Sequence, residues 1–374
     1  MKTANPFISA ADGTDMDNQH PPREAETERL NATGVVSSQG FRLKKKWLLL
    51  LLASVLLSLA VPFAWGGLAQ FKLLHRLTWW AVLSLATLAI ISWVFNALRT
   101  RLLMAALDQK VSFFKAALTT ISAEFAGVTT PGSVGMAATY TFLFHNLGVT
   151  LGEAVGLVSV IMVTDLVYFG SVMTLAILMQ IFSPSGLHHT LKLVSVLLLV
   201  MVGGGLVLTL LALNFRRVYR FVSRQMAKVS WLAGKRYRLA RFTVHFLRAL
   251  RLLKKMSWPK LIWLYCITLG FWLPRYLVLV LVIIIVGQTV PLSYLLLVQG
   301  VLNLGGQALL MPGGGGTVDA GYVAFLSPYL HHDALAFTLL VWRSFTFYWL
   351  LILGGPIFIF ETGEAAHNLL TRKN

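Results

Sequence analysis

Long apolar stretches are the feature that most restricts how this chain can fold. A helix needs about 20 predominantly apolar residues to cross the hydrocarbon layer of a membrane. Six stretches meet that requirement: 47–67, 78–98, 153–182, 190–213, 260–286 and 333–358. The composition agrees, because only 12% of the residues are charged, whereas a soluble domain has about 25%. The sequence therefore predicts an all-α polytopic integral membrane protein with about six spanning helices, and it excludes a soluble enzyme.

Two further apolar stretches, 111–147 and 292–330, are each interrupted near the middle by proline and glycine. Such residues break a helix, and lipid tolerates broken backbone only where protein or a watery cavity covers it. Each stretch is therefore predicted to be a re-entrant hairpin with a Pro-Gly tip. The tip residues are Pro131, Gly132 and Gly135 in the first hairpin, and Pro312, Gly313, Gly314, Gly315, Gly316 and Thr317 in the second.

Basic residues predict the direction of each span. They crowd at 42–46, 99–115 and 214–260, and cytoplasmic loops carry the excess of Lys and Arg in membrane proteins. On this rule both termini are cytoplasmic. The first hairpin enters the membrane from the cytoplasm and the second enters from the outside. Arg99 is counted among the cytoplasmic loop charges.

The two hairpins are related by a constant spacing, since Pro312 follows Pro131 by 181 residues and Gly313 follows Gly132 by the same number. Each would belong to one membrane repeat, 41–182 or 190–360, and the repeats would enter from opposite faces. Inverted repeats whose broken helices meet near the midplane are typical of transporters. The alternative, that Pro-Gly recurs in loops by chance, stays open.

Charged residues occur inside these apolar stretches. They are Glu124, Asp165, Arg275 and Arg343, and Asp319 follows the glycine run. A charge at the bilayer centre costs about 2.5–3.5 kcal/mol, so it is usually paired or lines a cavity. Asp165 and Arg343 follow their tips by 34 and 31 residues, which predicts that pseudo-symmetry brings them together.

These charged residues are the predicted substrate site. Arg275 and Arg343 would bind an anionic headgroup, because a guanidinium donates two parallel hydrogen bonds to phosphate. Asp165 and Glu124 would balance them when the site is empty. The alternative is a buried Asp165–Arg343 pair that only fixes helix register.

The glycine tips could also contribute backbone N–H groups to an anion. In the second tip, Thr317 is the predicted N-cap of the following helix. The run from Gly313 to Gly316 is not a P-loop, because no Lys-Ser/Thr follows the glycines.

Three polar segments complete the predicted organisation. Residues 214–260 carry fourteen bases and no acid, which predicts an amphipathic linker bound to anionic lipid headgroups on the cytoplasmic leaflet rather than to nucleic acid. Residues 1–40 hold six of the fourteen acids and are predicted to be a disordered cytoplasmic tail, and residues 361–374 form a C-terminal tail. No cofactor or metal site is predicted, and a homodimer stays open.

Four segments resemble the flippase-like membrane domain of lysylphosphatidylglycerol synthases and their stand-alone bacterial inner-membrane relatives. They are Glu124 to Gly135, Val160 to Gly170, Met311 to Tyr322 and Arg343 to Gly355, within a resemblance that covers 42–360. In that family Gly-Glu and an arginine usually follow the first tip, where this chain has Met136-Ala137-Ala138. An acid commonly follows the second tip, a role that Asp319 can fill.

The resemblance implies the lipid-moving half of the bifunctional synthases without the lipid-making half. We therefore expect a protein that is not an enzyme and that moves a lipid with an anionic or phosphate-containing headgroup across the bacterial inner membrane. The sequence shows no nucleotide site, so lipid movement would be driven by a gradient or would have no energy source. The alternative is a non-catalytic membrane subunit that recruits or regulates a lipid-synthesis enzyme.

Overall fold

The computed structural model describes residues 45–67, 69–182, 257–308 and 312–371, and all regular structure in these ranges is helical. The predictions made for the tail 1–40, the span 190–213 and most of the linker 214–260 lie outside the described residues.

The described residues form helices joined by short turns. The helices are α1 (Lys45–Gly66), α2 (Trp79–Ala105), α3 (Phe113–Val128), α4 (Val134–Asn146), α5 (Leu151–Ile181), α6 (Trp258–Val286), α7 (Leu292–Ala308), α8 (Thr317–Leu326), α9 (His332–Arg343) and α10 (Trp349–Thr371). Three 3-10 segments lie at Ala69–Arg76, Pro131–Ser133 and Pro312–Gly314. A π-helical segment, Ser344–Tyr348, joins α9 to α10 without a break.

Several of these helices are suited to crossing a membrane. Within the described ranges, four stretches are long and apolar enough to span: Trp79–Ala105, Leu151–Met179, Trp258–Val286 and His332–Asn368. They coincide with four of the six predicted spans. A fifth, 47–67, coincides with α1, in which Val55–Ala64 is a shorter apolar segment. The prediction of an all-helical, multi-pass membrane protein is therefore confirmed.

One predicted boundary is wrong. α2 continues to Ala105, seven residues beyond the predicted end at 98, because no proline or glycine interrupts it there. Arg99 consequently lies inside a helix rather than in a loop. The last helix runs to Thr371, so the segment predicted as a C-terminal tail is helical up to that residue. Its end is held by Lys115, which forms ion pairs with Glu361 at 3.0 Å and Glu364 at 2.7 Å.

The first Pro-Gly stretch forms a helical hairpin in which α3 and α4 pack against each other. A Cβ built on Gly127 would lie 3.0 Å from the Cβ of Met136, so residues on either side of the turn face each other. The backbone reverses at Pro131–Ser133, where Gly132 has a φ of 60°. That left-handed conformation favours glycine, because glycine has no Cβ to clash with the following carbonyl.

The second Pro-Gly stretch forms a hairpin of the same kind from α7 and α8. A Cβ on Gly321 would lie 2.8 Å from Leu302, and one on Gly306 would lie 2.8 Å from Val318. The two helices therefore pack in an antiparallel arrangement. Gly313 has a φ of 59°, so the glycine after the proline has the same left-handed backbone in both turns.

The two hairpins meet at their turns. Pro131–Ser133 contacts Pro312–Gly314, and each turn also contacts the first helix of the other hairpin, α7 or α3 respectively. The two turns thus lie next to each other, and Pro312 and Gly314 of the second turn are buried.

The helices that precede the hairpins, α2 and α6, pack against each other in an antiparallel arrangement. Ser92 contacts Arg275, and a Cβ on Gly270 would lie 2.4 Å from the ring of Phe95. At the start of α2, Arg76 lies near Gly287 at the end of α6. Because α3 follows the end of α2 and α7 follows the end of α6, the two hairpins open toward opposite ends of this helix pair.

Candidate functional site

Arg275 and Glu124 form a buried ion pair between α6 and α3. The Nη2 atom of Arg275 donates to Oε2 of Glu124 at 2.5 Å. The Nε atom of Arg275 donates to Oγ of Ser92 on α2 at 2.7 Å. The side chain of Glu124 is 5% exposed, whereas that of Arg275 is 27% exposed. The guanidinium of Arg275 therefore contacts a buried carboxylate while part of the arginine side chain stays exposed.

Asn96 links this pair to a second arginine. Its Nδ2 atom donates to Oε1 of Glu124 at 2.5 Å and lies 3.4 Å from the hydroxyl of Tyr140 on α4. Its Oδ1 atom accepts a hydrogen bond from Nη2 of Arg99 at 3.0 Å. Asn96 and Arg99 are three residues apart on α2, so both side chains lie on one face of the helix.

Arg99 forms an ion pair with Asp165 on α5. The indole Nε1 of Trp272 on α6 donates to the same carboxylate oxygen of Asp165 at 2.8 Å. The side chain of Arg99 is 2% exposed and that of Asp165 is 17% exposed. Two arginines and two carboxylates thus balance each other in one connected set, which we call the charge network: Ser92, Asn96, Arg99, Glu124, Asp165, Trp272 and Arg275.

The ring of Phe271 lies against both arginines of the charge network. Its centroid is 4.8 Å from Cζ of Arg99 and 4.4 Å from Cζ of Arg275. A guanidinium near an aromatic face gains about 0.5–2 kcal/mol. Phe271 therefore stabilises both guanidinium groups of the charge network.

A separate ion pair lies at the second turn. The Nε atom of Arg343 donates to Oδ1 of Asp319 at 2.5 Å, and its Nη1 atom donates to the carbonyl of Gly313 at 3.3 Å. The other oxygen of Asp319 accepts the backbone N–H of Gly316 at 2.8 Å. Both charged side chains are at most 5% exposed. One carboxylate therefore holds the arginine, the turn and the first residues of α8 together.

Comparison with known proteins agrees with this architecture. The family described as the lysylphosphatidylglycerol synthase TM region matches residues 45–354. The chain belongs to this family. A UPF0104 membrane protein of Archaeoglobus fulgidus is 20% identical over 291 residues, which cover 74% of this chain and 85% of that protein. Both turns, the charge network and the Arg343–Asp319 pair lie inside the segment that matches the lysylphosphatidylglycerol synthase TM family.

Within this family member, the predicted pairing of Asp165 with Arg343 is wrong. Asp165 is bound by Arg99 and Arg343 is bound by Asp319. The error follows from the early end predicted for α2, which placed Arg99 in a loop. The sequence did contain a sign that the helix includes Arg99, since Asn96 and Arg99 form a polar face on an otherwise apolar helix.

The prediction that the second glycine run offers free N–H groups to an anion is also wrong in part. The N–H of Gly316 is bound by Asp319, and the N–H of Gly315 donates to the carbonyl of Pro312 at 3.1 Å. Thr317 is not the N-cap of α8, because the cap position is Gly316. Its hydroxyl instead donates to the carbonyl of Gly314 at 3.0 Å.

The first turn has a similar internal bond. The N–H of Gly135 donates to the hydroxyl of Thr130 at 2.8 Å, and a Cβ on Gly135 would lie 2.4 Å from the carbonyl oxygen of Ala126. Pro131 and Gly132 form the reversal itself. The tip residues therefore shape the turns, and the ion pair at the second turn joins Asp319 of α8 to Arg343 of α9.

The chemistry available here is that of ion pairing. In the part of the chain that the structure describes, no group of three His, Cys, Asp or Glu residues could hold a metal ion. The charge network instead pairs two guanidinium donors with two carboxylates.

Proposed function

We propose that this protein moves a lipid with an anionic, phosphate-containing headgroup between the two leaflets of a membrane. The observation that carries the proposal is the charge network, in which Arg275 is 27% exposed while its partner Glu124 is 5% exposed. A lipid phosphate could reach the open side of Arg275 without first separating the rest of the network. The lipid-related name of the family supports the same class of substrate.

The two hairpins would enter the bilayer from opposite faces as re-entrant elements. The support is geometric, because they open toward opposite ends of the α2–α6 pair and their turns contact each other. With the segment 190–213 as a sixth span, the protein would be an inverted repeat. We place both termini in the cytoplasm and the protein in the bacterial inner membrane, in agreement with the distribution of basic residues.

The charge network would lower the cost of taking a headgroup through the hydrocarbon layer. Moving an isolated charge into an apolar medium is strongly unfavourable unless it is paired and hydrogen-bonded. A phosphate would bind the exposed side of the Arg275 guanidinium and accept hydrogen bonds from the N–H groups that do not donate to Glu124 or Ser92. Glu124 would keep its bonds from Asn96 and Arg275, so no buried carboxylate would lose its cation.

The remaining predicted site residues would support this binding. Arg343 and Asp319 fix the second turn, and Arg99 holds Asp165 beside Trp272. When no lipid is bound, each arginine has a carboxylate, so the empty protein need not keep an uncompensated charge in the membrane. In this scheme Arg275 contacts the substrate, while Arg343 acts through the turn.

Reconstitution tests the proposal. Purified protein in vesicles that contain phosphatidylglycerol labelled on one acyl chain should accelerate the quenching of inner-leaflet label by a membrane-impermeant quencher. Arg275→Ala should reduce the rate at least tenfold, and Arg343→Ala and Asp165→Asn should also reduce it. Lys72→Ala, which removes an exposed base outside the charge network, is the matched control and should leave the rate unchanged.

Two results would contradict the proposal. The first is a wild-type rate equal to that of protein-free vesicles for a panel of anionic and zwitterionic lipids, which would favour the alternative of a membrane subunit that recruits a lipid-synthesis enzyme through 214–260. The second is acceleration that Arg275→Ala leaves intact although the variant remains folded by circular dichroism.

A further inference from the structure

A cavity of about 400 Å³ opens between the end of α2, the α2–α3 connection and the start of α6. One side is apolar and includes Leu98, Leu102 and Trp263, and the other side carries Arg101, Gln109 and Lys110. Its volume falls in the range of about 300–1,000 Å³ that is typical of sites for small ligands. An apolar surface next to two cations suits an amphiphilic ligand with an anionic headgroup.

The two cations are available to a ligand. Arg101 and Lys110 are both exposed, and none of the described residues that line the cavity has a carboxylate side chain. The Nε atom of Arg101 donates a hydrogen bond to the carbonyl oxygen of Val111 at 3.2 Å. That bond fixes the guanidinium beside the cavity while using only one of its five N–H donors.

The position of the cavity along the bundle corresponds to a membrane interface. The cavity lies at the C-terminal end of α2, and the basic residues Arg101, Lys110 and Lys115 lie at or after that end. Along α2, the cavity residues Arg101 and Ala105 follow the charge-network residues Ser92, Asn96 and Arg99. Trp263 is 57% exposed and Trp258, at the start of α6, is 75% exposed. Exposed tryptophans are typical of the headgroup level of a bilayer.

We propose that this cavity binds an anionic phospholipid of the adjacent leaflet. The phosphate would lie between Arg101 and Lys110, and the first segments of the acyl chains would lie along Leu98, Leu102 and Trp263. A phospholipid fits better than a soluble anion, because a soluble anion would leave the apolar wall uncovered. The site is separate from Arg275 and does not depend on whether the protein transports lipid.

The single cysteine of the chain provides a local reporter for binding. Cys266 is exposed and precedes Ile267, which lines the cavity. A bimane fluorophore on Cys266, in full-length protein purified in an uncharged detergent, would report a ligand in the cavity through its emission. Titration with dioctanoyl phosphatidylglycerol is compared with dioctanoyl phosphatidylcholine and with inorganic phosphate.

Two cavity variants and one control separate the contributions of charge and shape. Each base near an anionic lipid surface adds about fivefold to affinity, so Arg101→Ala with Lys110→Ala should weaken phosphatidylglycerol binding about 25-fold. Ala105→Trp fills the cavity without changing charge and should weaken it at least fivefold. Lys72→Ala with Arg76→Ala removes two exposed bases at the other end of α2 and should change nothing.

Several outcomes would overturn the inference. Equal affinity of wild type and the Arg101/Lys110 double variant would show that the cavity bases do not bind the lipid. Inorganic phosphate binding as tightly as phosphatidylglycerol, without an effect of Ala105→Trp, would show a site for a free anion. A change from dimer to monomer in the double variant would show that a second copy of the chain occupies this face. Failure of transport alone, with intact binding, would count only against the proposed function.

Discussion

Arg275 and Glu124 lie 151 residues apart in the sequence, and their side chains meet at 2.5 Å between α6 and α3. The bond joins the helix that precedes the second hairpin to the first helix of the first hairpin. It also sets the charge of the network, because Arg275 and Glu124 neutralise each other as Arg99 and Asp165 do. Removing the charge of Arg275 or of Glu124 should therefore leave the other residue with an unpaired charge.

Glu124→Gln should destabilise the protein through that unpaired charge. Removing one partner of a buried ion pair costs about 3–5 kcal/mol, and we expect the lower part of this range because Arg275 is 27% exposed. The glutamine carbonyl can still accept the hydrogen bond from Asn96, so the loss reports the interaction with Arg275. The midpoint of thermal unfolding in detergent measures it.

The double variant Glu124→Gln with Arg275→Gln is the control for this interpretation. It removes both charges, and it should recover more than half of the stability lost in Glu124→Gln. Such recovery is the coupling that a double-mutant cycle detects between residues in contact. Additive losses in the two single variants would contradict an interaction between the two side chains.

Asp319 is expected to contribute through two separable interactions. Its carboxylate pairs with Arg343 and accepts the N–H of Gly316. Asp319→Asn keeps an acceptor for Gly316 but removes the charge, whereas Asp319→Ala removes both. Because a lost cap costs about 1 kcal/mol, Asp319→Ala should unfold at a lower temperature than Asp319→Asn, and both should unfold below wild type. Equal midpoints for the two variants would show that the bond to Gly316 contributes nothing.

Gly313 is expected to be intolerant of a side chain. Its φ is 59°, and a Cβ would lie 2.1 Å from the ring of Phe347. A left-handed backbone alone costs a residue with a Cβ about 1–2 kcal/mol, and the contact with the ring adds to that. Gly313→Ala should therefore lower the thermal midpoint in detergent.

Gly305 provides a matched control on the same hairpin. It lies within α7, and nothing lies within 4 Å of its Cβ position. Alanine is favoured over glycine in a helix by about 0.5–1 kcal/mol, so Gly305→Ala should leave the midpoint unchanged or raise it. A loss of stability at Gly305 as large as that at Gly313 would show that the turn geometry is not the cause.

The hairpins could be predicted because their signal is local. Proline and glycine act on the backbone of their own segment, so the predicted hairpin 111–147 agrees closely with helices that begin at Phe113 and end at Asn146. The antiparallel packing of α3 and α4 follows from a short turn between two apolar helices. The membrane positions of the hairpins are not fixed by these local signals.

The ion-pair partners could not be predicted because they depend on how distant helices pack. Arg99 and Asp165 are 66 residues apart, and their meeting depends on the register of α2 against α5. The sequence singled out five charged residues that each form an ion pair in the structure: Glu124, Asp165, Arg275, Asp319 and Arg343. It paired Asp165 with the wrong arginine, because the loop assignment of Arg99 removed the true partner from consideration.

The two hairpins should open toward opposite sides of the membrane. The connection that contains Lys110 lies where α2 ends, and Ser327 lies where α8 ends, at the opposite end of the α2–α6 pair. Cysteines placed at Lys110 and Ser327 in a Cys266→Ser background should therefore differ in their labelling by a membrane-impermeant maleimide. We expect Ser327→Cys to react in intact cells and Lys110→Cys to react only after permeabilisation.

Gly363 gives this experiment an internal check. It is exposed on α10, next to the glutamates that pair with Lys115, so Gly363→Cys should behave like Lys110→Cys. All three variants should react fully in detergent, because their sites are exposed to solvent there. Labelling of Ser327→Cys and Lys110→Cys from the same side would rule out hairpins that enter from opposite faces, since α2 and α6 could not then both cross the membrane.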